Sequence, residues 1–299
     1  MNYVNPQYLV EPQWLNDKLD DTHTRVFDVT GMLTSALDNV AEKRHFALGH
    51  IPGATFFDAA SAKGALSNPQ TSLPWMWPSQ EQFSAVMSSI GVSDKTHVVL
   101  YAATPRPGVD NGTMWCTRVW WILHHMGVNC AILNGGWERW VAEGYRVSTD
   151  HTDYPPTAFH ANQAGLQAIV DKSELVTELA DSHGTCVVDA LSSASYAGQD
   201  KVRYGDRKGH ITGAVNLPMS ELLDPSTGNF LSANALSQRL EAAGLLSANR
   251  VVTYCGGGIA ATVDAFCLAL MGHSNVAIYD GSLFEWAADA TLPMTDPSE

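Results

Sequence analysis

The chain contains two copies of one unit, and this repetition constrains its fold more than any other feature. The sequence GHIPGA at 49–54 recurs as GHITGA at 209–214, and VVLY at 98–101 recurs as VVTY at 251–254. A third landmark, LNGGWERW at 133–140, recurs as YDGSLFEW at 279–286. Three landmarks in the same order predict a duplicated domain in which the intervening segments differ in length.

Both copies alternate short apolar runs with helical patterns. The first copy predicts strands at 25–28, 55–57, 98–101 and 131–133, and helices at 13–19, 80–90, 114–126 and 137–143. The second predicts strands at 186–189, 214–216, 251–254 and 276–279, and helices at 172–179, 233–243, 262–271 and 282–288. This alternation predicts an α/β fold in which each domain has a parallel sheet flanked by helices.

The length of 299 residues suits two domains of ordinary size. We predict an N-terminal domain at 1–145, a linker at 146–165 that contains Pro155 and Pro156, and a C-terminal domain at 166–299.

Composition narrows the class of protein. A net charge of −14 argues against nucleic acid and anionic membranes as partners. Five cysteines without a CxxC pair indicate neither a disulfide framework nor a zinc site, so we expect reduced thiols in a cytoplasmic protein without metal or cofactor. The sequence also has no apolar run of about 18 residues, the length that predicts a membrane span.

The strand predicted at 251–254 is followed directly by a cysteine, then by three glycines and then by a helix. Glycines allow successive N–H groups to turn inward around the Cys255 sulfur, and the helix N-terminus adds partial positive charge. Both effects predict a lowered pKa and a thiolate nucleophile at neutral pH. The main-chain groups expected to bind the substrate anion are those of Gly256, Gly257, Gly258, Ile259 and Ala260.

Other readings of this loop are weaker. A P-loop would continue with Gly-Lys-Ser/Thr, and a tyrosine-phosphatase loop would have arginine where Ala261 stands. A buried cysteine before a turn is the plain alternative. In the first copy Ala102 replaces the cysteine, and the loop is longer and contains Pro105 and Pro107, so we predict an inactive N-terminal domain.

Several further residues have a structural interpretation. His50 and His210 lie in a turn common to both copies, including the copy without the cysteine, which favours a structural role. Ser282 suits either a helix N-cap or the lining of the site. The remaining cysteines are predicted to be inert core residues: Cys116, Cys130, Cys186 and Cys267.

Together these landmarks resemble the two-domain sulfurtransferases, the family of rhodanese and 3-mercaptopyruvate sulfurtransferase. The similarity covers residues 49–58, 118–121, 133–140, 209–217, 251–261 and 279–286. The resemblance implies tandem rhodanese folds, with a catalytic C-terminal domain in which Cys255 alternates between thiolate and persulfide. It also implies a small anionic sulfur donor and a thiol or cyanide acceptor, with a thioredoxin-like reductant as a candidate partner.

The family pattern leaves the donor open. Thiosulfate enzymes of the family commonly have basic residues after the cysteine, whereas mercaptopyruvate enzymes usually read Cys-Gly-Ser/Ala-Gly-Val-Thr. Here Gly257 and Ala260 replace the hydroxyl residues, and the Asp and His that pair with that serine fall on Ala60 and Thr71. We predict thiosulfate as the donor, with 3-mercaptopyruvate as the alternative and a persulfide relay to a protein partner as a second class of function.

Positive charge concentrates in one segment, at Lys201, Arg203, Arg207 and Lys208. Arg203 matches one of two family arginines that bind a substrate carboxylate, while the other falls on Ser195. We predict that Arg203 binds the donor, against the alternative that the segment is a solvated loop.

Overall fold

The computed structural model describes residues 1–162, 168–180, 184–200, 204 and 207–297. The chain divides into two compact units. The N-terminal unit comprises Pro6–Leu166 and Ser226–Asn229, and the C-terminal unit comprises Met1–Asn5, Gln167–Pro225 and Phe230–Glu299.

The N-terminal unit is built on a parallel sheet. Its strands are β1 (Leu9–Val10), β2 (Thr24–Asp28), β3 (Ala54–Phe56), β4 (His97–Tyr101) and β5 (Asn129–Leu133). In the described residues they pair in the order β1-β5-β4-β2-β3. Its helices are α1 (Pro12–Asn16), α2 (Ala41–Arg44), α3 (Gln80–Ser89), α4 (Gly112–His125) and α5 (Gly136–Ala142).

The C-terminal unit repeats this architecture. Its strands are β6 (Ile169–Val170), β7 (Thr185–Asp189), β8 (His210–Ile211), β9 (Val215–Asn216), β10 (Arg250–Tyr254), β11 (Val276–Tyr279) and β12 (Met294–Thr295). The described parallel sheet has the order β6-β11-β10-β7-β9, and β8 pairs with β12 antiparallel. Its helices are α6 (Lys172–Ala180), α7 (Ser193–Tyr196), α8 (Ala233–Ala242), α9 (Ala261–Leu270) and α10 (Ser282–Trp286).

The predicted α/β fold with two repeated parallel sheets is confirmed, because the two sheets share one strand order. That order makes β10 the counterpart of β4. Both are central strands covered on two faces, which explains why each reads as a continuous apolar run. No helix in the described ranges combines the length and the apolar character needed to cross a bilayer.

Residues at the ends of the predicted domains pack in unexpected places. The segment 146–162, predicted to be a linker, lies along the N-terminal unit: Ser148 N donates to the His50 carbonyl (2.9 Å), Thr157 N donates to the Ser88 carbonyl (2.9 Å), and Phe159 is buried. Met1–Asn5 belong to the C-terminal unit, where the N–H groups of Val4 and Asn5 both donate to the Leu270 carbonyl at 3.1 Å. Backbone hydrogen bonds fix these segments, and side-chain patterning does not reveal such bonds.

Candidate active site

Cys255 lies directly after the central strand β10 and is 2% exposed. The strand is held between β7 and β11, so its carboxyl end is fixed from both sides. The Thr253 hydroxyl donates to the Ala261 carbonyl (3.0 Å) and ties the strand to the first turn of α9. The loop that carries Cys255 is therefore anchored at both ends.

Three main-chain N–H groups donate to the Cys255 sulfur, those of Gly257, Ile259 and Ala261. Gly258 lies between two of these donors with a φ of 73°, in the left-handed region where a side chain would be strained. Gly257 and Ile259 belong to the predicted group of main-chain donors, whereas the third donor, Ala261, lies one residue beyond the predicted range, which ends at Ala260. Ala260 forms the N-cap of α9, and the Gly256 carbonyl accepts the Phe284 N–H (2.8 Å).

The expectation of a lowered Cys255 pKa is wrong for this structure. Burial raises the pKa of the Cys255 thiol, and the Asp189 carboxylate raises it further, while the three N–H donors act in the opposite direction. The glycine pattern indicates donors but does not show how completely the sulfur is removed from water. The raised pKa favours the protonated thiol over the thiolate at neutral pH.

This raised pKa predicts how Cys255 reacts with iodoacetamide. In the folded protein its alkylation rate should rise with pH to a midpoint above that of Cys255 in the unfolded chain, because only the thiolate reacts. Asp189→Asn should lower the midpoint, because it removes a negative charge close to the sulfur. Peptide-level mass spectrometry across pH measures both profiles, and a folded midpoint at or below the unfolded one would refute the burial argument.

Ser282 holds the backbone of the nucleophile. Its Oγ accepts the Cys255 N–H (3.2 Å) and donates to the Tyr279 carbonyl (2.8 Å), and the residue is fully buried. Its φ of 48° lies in the left-handed region, and its counterpart in the first copy, Gly136, has a φ of 55°. A serine kept where glycine is unstrained indicates that the hydroxyl positions Cys255.

Replacing Ser282 should separate the contribution of its hydroxyl hydrogen bond from the cost of its left-handed backbone. Ser282→Ala is expected to lower the free energy of unfolding by roughly 1–3 kcal/mol, because the Cys255 N–H loses its partner in a buried site. Ser282→Gly loses the same bond but relieves the left-handed strain of about 1–2 kcal/mol, so it should destabilise less than alanine. Urea unfolding measures both variants; a glycine variant less stable than the alanine variant would contradict this account.

Sequence reasoning did not identify Asp189, which lies at the end of β7 beside Cys255. Its Oδ1 accepts the Leu191 N–H (2.9 Å), and the Tyr254 hydroxyl binds its carboxyl and accepts the Ile211 N–H (3.0 Å). Burial raises the pKa of Asp189 to about 6. The available signal was the aspartate that ends the equivalent strand in both copies, because Asp28 binds Tyr101 in the same way.

The first copy shows how the same loop looks without a nucleophile. Ala102 occupies the position of Cys255, and its carbonyl accepts the Trp137 N–H (3.1 Å), as the Cys255 carbonyl accepts the Leu283 N–H (3.0 Å). The Thr104 N–H, which corresponds to that of Gly257, donates to Glu138 Oε1 at 2.7 Å. In the first copy the Glu138 carboxylate thus accepts a hydrogen bond from the Thr104 N–H, whereas in the second copy the corresponding N–H, that of Gly257, points at the sulfur.

The predicted basic cluster divides into two parts. Lys201 and Arg203, the residue predicted to bind the donor, lie outside the described residues. Arg207 donates to four main-chain carbonyls, those of Trp286, Ala287, Asp289 and Leu292, at 2.6–3.1 Å. It therefore fixes the C-terminal segment, and its expected contribution to an anion site is corrected.

The other singled-out residues have structural surroundings. His210 stacks on Tyr196 with ring centroids 3.6 Å apart, and His50 stacks on Phe46 at 4.0 Å. Both histidines are buried, and their Nδ1 atoms lie against main-chain carbonyls.

Burial raises the pKa of the other thiols, Cys116, Cys130, Cys186 and Cys267, which keeps them protonated. The described residues contain no group of three His, Cys, Asp or Glu side chains that could hold a metal.

Comparison with known proteins agrees with this geometry. A profile described as Rhodanese-like domain matches residues 11–143 and 171–289, which together are most of the chain. The chain belongs to the rhodanese family. The 3-mercaptopyruvate sulfurtransferase of Escherichia coli K12 is 31% identical over 97% of this chain and 99% of its own. Bovine thiosulfate sulfurtransferase is 32% identical, over 79% of this chain and 77% of its own.

A solved structure shows the same rhodanese architecture. The crystal structure of the 3-mercaptopyruvate sulfotransferase from Escherichia coli superposes with a TM-score of 0.77 and 28% identity, covering 92% of this chain and 98% of that one. The predicted tandem rhodanese organisation is thereby confirmed. As a member of the rhodanese family with relatives of this kind, the protein is a sulfurtransferase.

Proposed function

We propose that the protein moves a sulfane sulfur from thiosulfate, through a persulfide on Cys255, to a thiophilic acceptor such as cyanide or a thiol. One observation carries the proposal: the N–H groups of Gly257, Ile259 and Ala261 converge on the Cys255 sulfur. Fixed donors of this kind stabilise negative charge that develops at one atom during a reaction. The catalytic role belongs to Cys255 because the counterpart in the first copy is Ala102.

Transfer from thiosulfate balances with the proton that Cys255 carries. The Cys255 sulfur attacks the outer sulfur of thiosulfate, the S–S bond of the donor breaks, and a new S–S bond forms on the enzyme. The thiol proton leaves with the sulfite as bisulfite, and the persulfide keeps one negative charge. Cyanide then takes the outer sulfur as thiocyanate and leaves the Cys255 thiolate, in the two-step manner of covalent catalysis.

A second candidate donor is 3-mercaptopyruvate. The relative that spans nearly the whole chain at 31% identity is a 3-mercaptopyruvate sulfurtransferase. The loop side chains from 256 to 261 are also uncharged, and the family resemblance associates a neutral loop with that donor rather than with thiosulfate. Both donors require the same persulfide on Cys255.

Initial rates with each donor at saturating cyanide decide between these candidates. Sulfite release reports thiosulfate, and pyruvate release reports 3-mercaptopyruvate. Cys255→Ser should abolish both signals, while Cys267→Ser, which removes a buried thiol of the same unit, serves as the matched control. Negligible turnover with both donors, together with sulfur transfer from Cys255 to a thioredoxin-like protein thiol, would replace the proposal with a persulfide relay.

A further inference from the structure

An aromatic ring lies against the residue that follows the nucleophile. A Cβ placed on Gly256 would come 2.2 Å from Cε1 and Cζ of Tyr204 and 2.5 Å from its hydroxyl oxygen. The Tyr204 ring therefore rests on the α-carbon of Gly256. Because consecutive α-carbons are about 3.8 Å apart, this ring is a near neighbour of Cys255.

A second ring completes this surface. Phe284 meets Tyr204 edge to face, with centroids 5.2 Å apart and planes at 87°. Its N–H donates to the Gly256 carbonyl (2.8 Å), so its backbone is fixed to the loop. We call the rings of Tyr204 and Phe284 the aromatic wall.

The aromatic wall stands where the loop meets solvent. Among residues 255–261, all of which the structure describes, only Gly257 is partly exposed, and it comes directly after Gly256. Tyr204 and Phe284 are themselves half-buried. A molecule that approaches the loop at Gly257 therefore arrives next to these rings.

The first copy has an acidic residue at the position equivalent to 284. This residue is Glu138, whose carboxylate reaches the Thr104 N–H at 2.7 Å inside the equivalent loop. A side chain at this position thus faces the loop in one copy as an acid and in the other as an aromatic ring. In the second copy the loop's own side chains, from 256 to 261, offer neither charge nor hydroxyl.

We infer that the aromatic wall determines the acceptor: Tyr204 and Phe284 select organic thiols with a planar, aromatic body over aliphatic thiols of the same acidity. The inference rests on the proposed persulfide at Cys255 and holds for either donor. Aromatic rings prefer edge-to-face and offset-stacked contacts, and these two half-buried aromatic residues offer such a contact beside the loop that carries the sulfur.

The transfer step balances without a further reactant. The acceptor thiol attacks the outer sulfur of the Cys255 persulfide, the enzyme S–S bond breaks, and an S–S bond forms on the acceptor. The acceptor's proton ends on Cys255, and the negative charge leaves on the product persulfide. The aromatic wall takes no part in bond making and only holds the body of the acceptor.

The test compares two thiols of similar acidity, phenylmethanethiol and 2-mercaptoethanol, as acceptors from the enzyme loaded with sulfur. For each protein the readout is the ratio of kcat/KM for the aromatic thiol to that for the aliphatic one. Tyr204→Ala should reduce this ratio about tenfold, the size of a lost ring-to-ring contact. Phe284→Ala should reduce it in the same direction, and Tyr204→Phe, which keeps the ring, should retain it.

Tyr145→Ala is the matched control, because Tyr145 is a partly buried aromatic that packs on Trp140 in the N-terminal unit. This control should leave the ratio at the wild-type value. A wild type that carries sulfur on Cys255 but shows the same ratio in every variant overturns the inference alone. A wild type that takes up no sulfur at Cys255 from either donor overturns both the inference and the proposed function.

Discussion

Phe284→Glu is expected to reduce sulfur uptake at Cys255 by about two to three orders of magnitude. The change gives the second copy the residue of the first, where the Glu138 carboxylate accepts the Thr104 N–H at 2.7 Å. The corresponding N–H in the second copy belongs to Gly257 and donates to the Cys255 sulfur. The new carboxylate would take this donor and would place a negative charge beside the developing anion.

Phe284→Gln provides the control, because it has nearly the same size as glutamate but no charge. We expect it to retain much more uptake than the glutamate variant. Single-turnover sulfite or pyruvate release, whichever donor the enzyme uses, measures both variants. Equal losses in the two would show that the added negative charge is not what impairs uptake, and would contradict the expected effect of the carboxylate.

Gly256→Ala is expected to slow turnover by about a hundredfold. A Cβ at this position would come 2.2 Å from the Tyr204 ring, so either the ring leaves the loop or the loop moves away from the ring. A shift of about 1 Å at a nucleophile is enough for a loss of this size. The Gly256 carbonyl, which accepts the Phe284 N–H, would move with the loop.

The double variant Tyr204→Ala/Gly256→Ala tests the cause. Without the ring, alanine at 256 has room, so the double variant should turn over faster than Gly256→Ala alone. Such a departure from additivity is the signature of two residues in direct contact. Equal rates in the single and double variants would show that contact with Tyr204 is not what makes glycine necessary at this position.

The sequence predicted the sheet because its central strands leave a strong pattern. VVLY and VVTY are buried on both faces, and the structure places them in β4 and β10, within one residue of the predicted bounds. Strands of two residues, such as β1 and β6, were missed because pairs as short as Leu9–Val10 have no periodicity. The packing of 146–162 was missed because it depends on main-chain hydrogen bonds.

The site was predictable in its chemistry and less so in its environment. Cys255 and the glycines after it are adjacent in the sequence, so their pattern can be recognised without knowledge of the fold. The pKa of Cys255 depends on burial by residues distant in sequence and on the charge of Asp189, so its direction was misjudged. Arg207 was misread for a similar reason, since its four carbonyl partners lie about 80 positions further along the chain. No sequence pattern predicts a role for Tyr204, because only the fold brings its ring against Gly256.

If Cys255 carries the transferred sulfur, the mass of the peptide that contains it should show the added atom. The protein is treated with thiosulfate or 3-mercaptopyruvate, the thiols are blocked, and the peptide that contains Cys255 is weighed. We expect a gain of one sulfur atom on Cys255 in the wild type and in Cys267→Ser, and no gain in Cys255→Ser. A sulfur found on Cys267 or another thiol, or an unmodified Cys255 while sulfur transfer proceeds, would contradict it.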